Sequence, residues 1–311
     1  MKAVDMTKVL AIVGPTGSGK STVATALAKR LDGEIISCDS VQVYRGFDIG
    51  SAKPSLDEQR SIPHHCIDIR DWSESFDAQQ FRELAREAIA DCRSRGKVPI
   101  VCGGTGLYLR VLRWGLVEGP GSNEKLREQL ENDERSDPGS LVRRLLEADP
   151  EAGACVDLKN PRRVIRSLEI FLLSGTTPTE LRREHGFRVE ETPMNVVCVD
   201  WPNDTLRERL GSRMEQMLNA GWVDEVRQLL DSGVSKDCIP MTAVGYRTLV
   251  ESVDTPMNRE ELTRRILKTT WSYVRRQRTW MRKEKDVRLI SREEFRELQS
   301  VVDEIEKRAG L

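Results

Sequence analysis

The 311-residue sequence has no long apolar run, no excess of charge of either sign, few aromatic side chains and only three histidines. Each shortage excludes something. Uninterrupted apolar sequence never approaches the ~20 residues that a membrane helix needs. The polar start, Met1 to Lys8, leads into an apolar run of only five residues, Val9 to Val13, so neither an export signal nor a membrane attachment is expected. Lysine and arginine number 49 against 50 aspartate and glutamate, a formal net charge of −1; a basic surface would have to come from sorting charge along the chain. The cysteines, Cys38, Cys66, Cys92, Cys102, Cys155, Cys198 and Cys238, are odd in number with no Cys-x-x-Cys pair, and the histidines are His64, His65 and His185. A disulfide framework or zinc finger is therefore not expected, and the scatter suits a reducing cytoplasm. What is present, 38% hydrophobic and 32% charged residues, suffices for a core and does not describe a disordered or collagen-like chain.

Short β-branched runs alternate with helical patterns in the first third. Val9 to Val13, Glu34 to Cys38 and Val98 to Cys102 read as strands, and Ser21 to Leu31 and Phe76 to Arg95 as helices. That alternation predicts an α/β fold, a parallel sheet flanked by helices. Beyond Gly115, charged helical segments are broken at Asp137-Pro138-Gly139, Asp149-Pro150 and Asn160-Pro161, and the next strand candidate is Asn195 to Asp200. The expectation is a helical insertion over residues 118–190 within a core made of residues 1–117 and 191–311. From Asp204 the pattern is helical again, through Arg207 to Asn219, Val223 to Asp231 and Arg259 to about Arg282.

Gly14-Pro15-Thr16-Gly17-Ser18-Gly19-Lys20-Ser21 fits G-x-x-x-x-G-K-[ST], directly after a strand and before a helix, which is the context a phosphate loop requires. Backbone N–H groups curl around phosphate oxygens, the helix N-terminus adds partial positive charge, Lys20 adds a full one, and Ser21 can ligate Mg²⁺. The loop does not say which phosphate ester is bound. An acidic residue after a second strand would hold metal or orient a nucleophile, and Asp39 and Asp200 both end apolar runs. Asp39 is favoured as the end of a strand neighbouring the loop strand, although a carboxylate there could also cap the following turn. Asp200 reads as structural.

Residues 259–288 hold eleven Lys/Arg against four Asp/Glu. On a helical wheel Arg264, Lys268, Trp271, Arg275, Arg278 and Arg282 fall within roughly 40° of one direction, with Leu262, Ile266, Tyr273 and Trp280 opposite. A solvated charged face would mix signs, so the stripe is read as a nucleic-acid surface. Lys159, Arg162, Arg163 and Arg166 form a second cluster. The residues thus suggest a pocket for a phosphorylated small molecule and a surface for RNA or DNA. The principal alternative is a P-loop small-molecule kinase using ATP, which leaves the basic helix unexplained.

The order of these segments closely resembles the bacterial tRNA dimethylallyltransferases, or tRNA isopentenyltransferases. The resemblance rests on Gly14 to Ser21, Ser37-Cys38-Asp39-Ser40-Val41-Gln42-Val43-Tyr44, Asp48 to Pro54, Pro63-His64-His65-Cys66-Ile67-Asp68, Gly103-Gly104-Thr105-Gly106-Leu107-Tyr108, Asn160-Pro161-Arg162-Arg163, Ala243-Val244-Gly245-Tyr246-Arg247 and Arg275-Arg276-Gln277-Arg278-Thr279-Trp280. Gly17, Cys66 and Met281 depart from the residues usual in that family.

The resemblance implies transfer of a dimethylallyl group from dimethylallyl diphosphate to the exocyclic amine of the adenine 3′ of the anticodon, with diphosphate released. Gly14, Pro15, Thr16, Gly17, Ser18, Gly19, Lys20 and Ser21 would then hold the donor's diphosphate, with Mg²⁺ at Ser21. Arg213 matches the family's diphosphate-binding arginine. Asp39 would be the base that takes the amine proton, and Thr105 would orient the same base, flipped out of the anticodon loop. The tRNA contacts that the resemblance implies are Asp39, Ser40, Val41, Gln42, Thr105, Arg127, Arg162, Arg163, Val164, Ile165, Arg166, Thr242, Ala243, Val244, Gly245, Tyr246, Arg247, Arg275, Arg276, Gln277, Arg278, Thr279, Trp280, Met281 and Arg282. A cytoplasmic monomer acting on the anticodon stem-loop is expected, with His64 and His65 as loop or packing residues.

Overall fold

The structure, a computed structural model, describes residues 7–116, 119–186 and 189–310. Residues 117 and 118, where the insertion is expected to begin, and residues 1–6 of the polar start lie outside them. Two compact units result, one from the segment up to Arg113 together with the segment from Glu191 onward, the other from Trp114–Glu190.

The larger unit begins β1 (Val9–Val13), α1 (Lys20–Leu31), β2 (Gly33–Cys38), α2 (Leu56–Ser61), β3 (His64–His65), α3 (Ala78–Ser94), β4 (Val98–Gly103) and α4 (Gly106–Trp114). After α5 (Glu124–Ser136), α6 (Ser140–Ala148), α7 (Pro161–Ser174) and α8 (Pro178–His185) of the smaller unit, it resumes. There follow β5 (Met194–Asp200), α9 (Asn203–Asn219), α10 (Trp222–Asp231), α11 (Tyr246–Asp254), α12 (Arg259–Lys283), β6 (Arg288–Ser291) and α13 (Leu298–Ala309). The six strands form one parallel sheet in the order β3-β2-β4-β1-β5-β6.

Strand residues alternate between two cores. Val9, Ala11 and Val13 of β1 join Ile36, Val101 and Val196 under α3, α4 and the later helices, whereas Leu10 and Ile12 join Ile35, Ile100 and Val197 under α1 and α13. Burial on both faces explains the near-continuous apolar runs that made these strands readable. The short β3 and the four-residue β6 carry no such run and were not expected. Helix α3 starts two residues later than its apolar pattern suggests, because Asp77 forms a capping box with Gln80; the cap chemistry, not the first apolar residue, sets the start.

One expectation about topology needs correction. The strand that carries Asp39 is not next to the loop strand, since β4 lies between β2 and β1. The strand beyond β1 on the other side is β5, which ends at Asp200. Asp39 still opens on the loop's crevice because β4 ends in small residues. At Gly103 a Cβ would stand 2.0 Å from the Cys38 carbonyl oxygen, so only glycine lets the two strand ends close up.

In the smaller unit Leu130, Leu141, Leu145, Val164, Ile165 and Leu168 form a separate core. Beside them Glu169 is fully buried and accepts hydrogen bonds from the Asn123 N–H, from Arg127 at two 2.9 Å contacts and from Arg166 at 2.7 Å. Burial pushes the Glu169 carboxyl up, but these donors outweigh it and hold the group below the usual carboxylate range. Helix α7 starts where the Asn160-Pro161 break indicated, with Asn160 accepting from the Arg163 N–H and Pro161 in the first turn, and ends at Gly175 in the left-handed region.

Candidate active site

The phosphate loop leaves β1 and turns into α1 with Gly17 and Gly19 at φ 82° and 87°, conformations that side-chain-bearing residues resist. The loop is held from outside at three peptides. The Gln277 carboxamide accepts from the Thr16 N–H at 2.9 Å and donates to the Gly104 carbonyl at 3.0 Å, joining the loop to the end of β4. The Arg209 Nε donates to the Gly17 carbonyl and the Trp201 indole to the Ser18 carbonyl, at 3.0 and 3.1 Å.

The loop faces a cavity of about 480 Å³ in the larger unit, lined at one end by Thr16, Lys20, Ser21, Asp39 and Arg213. Leu210, Met214, Met217 and Val244 contribute an apolar wall to the same cavity. Among the described residues, neither Lys20 nor Arg213 has a carboxylate partner within ion-pair distance. Burial pushes the Lys20 ammonium below the usual lysine range; Arg213 adds to that shift, while Cys102 and Asp39 oppose it. Burial likewise lowers Arg213, opposed by Asp39 and reinforced by Arg209. Two carboxylates line the cavity, Asp39 and Glu58, and Glu58 accepts from the Ser55 N–H and hydroxyl in the α2 cap; two desolvated cations beside Asp39 form an anion site that is short of negative charge.

Asp39 caps the following turn and also faces the cavity. Its Oδ1 accepts from the Val41 and Gln42 N–H groups at 2.9 and 3.3 Å, capping the turn, while the other oxygen makes no hydrogen bond among the described residues and the residue lines the cavity. Thr105 stands beside it: the Ser40 N–H donates to the Thr105 Oγ1 at 3.1 Å, and the Thr105 N–H donates to the Cys38 carbonyl. Gln42 turns inward, accepting from the Ser37 hydroxyl and donating to the Ser51 and Ala52 carbonyls.

Several residues assigned to a nucleic-acid surface are committed elsewhere. Arg278 lies on α12, but its guanidinium takes both oxygens of Asp200 at 2.7 and 2.8 Å, together with Asn203 and the Trp201 carbonyl. It is a structural arginine, and it neutralises the carboxylate at the end of β5. Met281 is buried against Cys198, and Gln277 is 5% exposed. In the smaller unit Val164 and Ile165 are core residues, and Arg127 and Arg166 are held by buried Glu169. Tyr246 is buried with its hydroxyl on Glu225 at 2.6 Å, and Gly245 packs under the Trp222 ring. A helical wheel gives the direction of a side chain but not what stands in that direction.

The cations left exposed without a carboxylate partner include Lys268, Arg275, Arg276 and Arg282 on α12 and Arg162 on α7, while Arg163 lies 3.9 Å from Asp157 and Arg247 pairs with Glu251 at 3.5 Å. Thr242 and Thr279 are exposed, Trp280 is half-buried against Gly106, and Thr242, Ala243 and Val244 reach the cavity. His64 lines the cavity with Nδ1 2.7 Å from the Ile62 carbonyl, and His65 sits 2.7 Å from buried Glu34, which Arg95 also holds. Both are occupied by packing partners.

Sequence reasoning missed Arg209, Trp201 and Glu225. Arg209 stands one helical turn before Arg213, a spacing that could have flagged it. Glu225 accepts from the Asp48, Ile49 and Gly50 N–H groups and from Tyr246, fixing a loop of the cavity wall from 175 residues away; no local signal marks it. Tyr273, on the side of α12 opposite the cationic stripe, lines the cavity.

Residues 42–284 match the family model described as IPP transferase. The chain is 44% identical over 278 residues to tRNA dimethylallyltransferase 1 of Trichlorobacter lovleyi, covering 89% of this chain and 91% of that one. It is 40% identical to the tRNA dimethylallyltransferase of Geobacter metallireducens, covering 92% and 93%. Among solved structures, the tRNA isopentenylpyrophosphate transferase of Bacillus halodurans superposes with a TM-score of 0.70 at 35% identity, over 98% of this chain and 97% of that one. A eukaryotic dimethylallyltransferase acting on tRNA gives a TM-score of 0.78 at 29% identity, over 91% and 73%.

Proposed function

The chain belongs to the IPP transferase family, and from that premise we propose that it transfers a dimethylallyl group from dimethylallyl diphosphate to the exocyclic amine of the adenine 3′ of the anticodon in tRNA, releasing diphosphate. It is a prenyltransferase of tRNA modification. The observation that carries the choice of donor is the cavity itself: Lys20 and Arg213, desolvated and without carboxylate partners, share it with the apolar wall of Leu210, Met214 and Met217. A diphosphate supplies the missing negative charge, and a five-carbon tail has an apolar surface to lie on.

Separating the allylic carbon from diphosphate builds negative charge on the leaving oxygens. Lys20, Arg213 and the free N–H groups at the start of α1 would stabilise that charge more than the ground state, which is how an electrostatic site accelerates a reaction. Asp39, with one oxygen fixed by two backbone N–H groups and the other free, would accept a proton from the adenine amine as the new C–N bond forms. Thr105 would hold Asp39's neighbourhood in place. Ser21 offers a hard oxygen donor suited to Mg²⁺, which binds through one or two protein oxygens plus substrate phosphates. When bound, the ion would add charge stabilisation on the leaving diphosphate.

A kinase reading is less well supported. A nucleoside-triphosphate site uses an aspartate near the loop strand to hold metal, but the carboxylate at the end of adjacent β5, Asp200, is bound on both oxygens by Arg278. Incubation with labelled dimethylallyl diphosphate and unmodified tRNA should put label on the tRNA, while ATP with candidate acceptors gives no phosphoryl transfer; the reverse pattern would end the proposal. A cytoplasmic monomer remains part of the proposal, and no described helix is long and apolar enough to cross a membrane.

For the RNA surface of the larger unit, the reading now rests on Arg275, Arg276 and Arg282 rather than Arg278. The double variant Arg275→Ala/Arg282→Ala should weaken tRNA binding and flatten the dependence of log K on log salt by about 1.4 to 1.8, the worth of two phosphate contacts. Filter binding at several salt concentrations measures it, and an unchanged slope would move the RNA to another face.

A further inference from the structure

Trp201 and Arg209 hold two successive carbonyls of the phosphate loop, and both lie outside every motif that marked the loop in the sequence. The indole N–H of Trp201 donates to the Ser18 carbonyl at 3.1 Å, and the Nε–H of Arg209 to the Gly17 carbonyl at 3.0 Å. A trans peptide points its N–H opposite to its C=O. Fixing the Ser18 carbonyl on Trp201 therefore turns the Gly19 N–H the other way, and that N–H has no partner among the described residues. It is the last donor before Lys20.

The ring that makes this contact is itself held by charge. The guanidinium of Arg209 lies 5.0 Å from the Trp201 ring centroid and that of Arg292 5.1 Å from it. Neither has an ion-pair partner among the described residues. Arg292 donates to the Phe295 and Arg296 carbonyls at 2.9 and 3.1 Å, and its Nε is buried without a partner. Burial and the neighbouring Arg209 push Arg292 below the usual arginine range. Gathering two like charges around one indole is unfavourable unless the ring's π face and a rigid loop repay it. Arg292 stands beyond residue 284, where the family match ends, so this buttress comes from the β6 end of the chain.

We propose that Trp201 and Arg209 are positioning residues that preset the phosphate loop for the donor's diphosphate, and that Arg292 locks Trp201 in the orientation this needs. The inference rests on the reading that diphosphate binds the loop. Trp201→Phe is the discriminating variant, because it keeps an aromatic ring beside the guanidiniums while removing the N–H along with part of the indole, a loss of packing that thermal stability monitors. Calorimetric titration with inorganic diphosphate and Mg²⁺, run on the full chain beside prenyl-transfer kinetics, reads the effect. The diphosphate Kd and the donor KM should both rise about five- to tenfold. At saturating donor, kcat should fall by no more than about tenfold, because a misaligned Gly19 N–H also loses part of its hold on the developing charge, while the KM for tRNA stays within about twofold of wild type. Arg292→Ala should shift the same two constants in the same direction, and Arg292→Lys, which keeps a cation by the ring, should bring them back. Wild-type diphosphate affinity in Trp201→Phe, or a fall in kcat and tRNA affinity together with thermal stability, would overturn the inference alone. A wild-type chain that bound no diphosphate would overturn the functional reading and this inference with it.

Discussion

Asp39→Asn should lower turnover by roughly 10²- to 10⁴-fold, the range that a positioned general base contributes, while tRNA affinity stays within about threefold. The asparagine is chosen because the wild-type side chain has two separate jobs. Its Oδ1 caps the turn by accepting from the Val41 and Gln42 N–H groups, and an amide oxygen can do the same. The second oxygen, free toward the cavity, becomes an amide NH₂ that cannot take a proton. Fold and turn are therefore kept while basicity is lost. Asp39→Ala should be equally slow and also less stable, since it leaves those two N–H groups without their acceptor. Single-turnover measurements with saturating donor and tRNA give the rate, and filter binding gives the affinity. Near-normal turnover in Asp39→Asn would remove Asp39 as the base.

The second large effect is expected at Lys20. Lys20→Met should lower kcat/KM for the prenyl donor by roughly 10²- to 10³-fold, as for loss of a group that stabilises developing charge. It should leave tRNA binding unchanged. Its pH dependence separates this from a packing defect. Burial lowers the Lys20 pKa, assisted by Arg213 and opposed by Cys102 and Asp39, so in the free enzyme the ammonium loses its proton at lower pH than an ordinary lysine. Donor capture, read as kcat/KM, should be full on the acid side of that pKa and decline as pH rises through it. Bound diphosphate favours the charged form, so kcat should decline later than kcat/KM. Lys20→Met should lack that alkaline limb. A variant that keeps the limb would assign it to another group.

Residues 14–21 could be read as a phosphate loop from the sequence because glycine spacing, the preceding strand and the following helix are all local requirements of one turn. The two-sided burial of β1, β2, β4 and β5 was equally local in its effect, writing apolar runs into the chain. Helix α7 announced its start with Asn160-Pro161. The order of the strands was not legible, because nothing in β2 records that β4 lies between it and β1.

The same division runs through the site. Sequence alone determined that a phosphate loop, a carboxylate after a second strand and a charge-sorted helix are present. Only the tertiary structure decided which of those charges remain free. Arg275 and Arg278 stand one turn apart on α12, yet Arg275 is exposed while Arg278 closes on Asp200, 78 residues earlier in the chain. Gln277 reaches Thr16 across 261 residues. The physical reason is that a helix's own period fixes only where a side chain points. Whether it meets water, a carboxylate or a backbone carbonyl depends on which element packs opposite, and the strength of a charged group's interactions depends on how much solvent that element leaves around it.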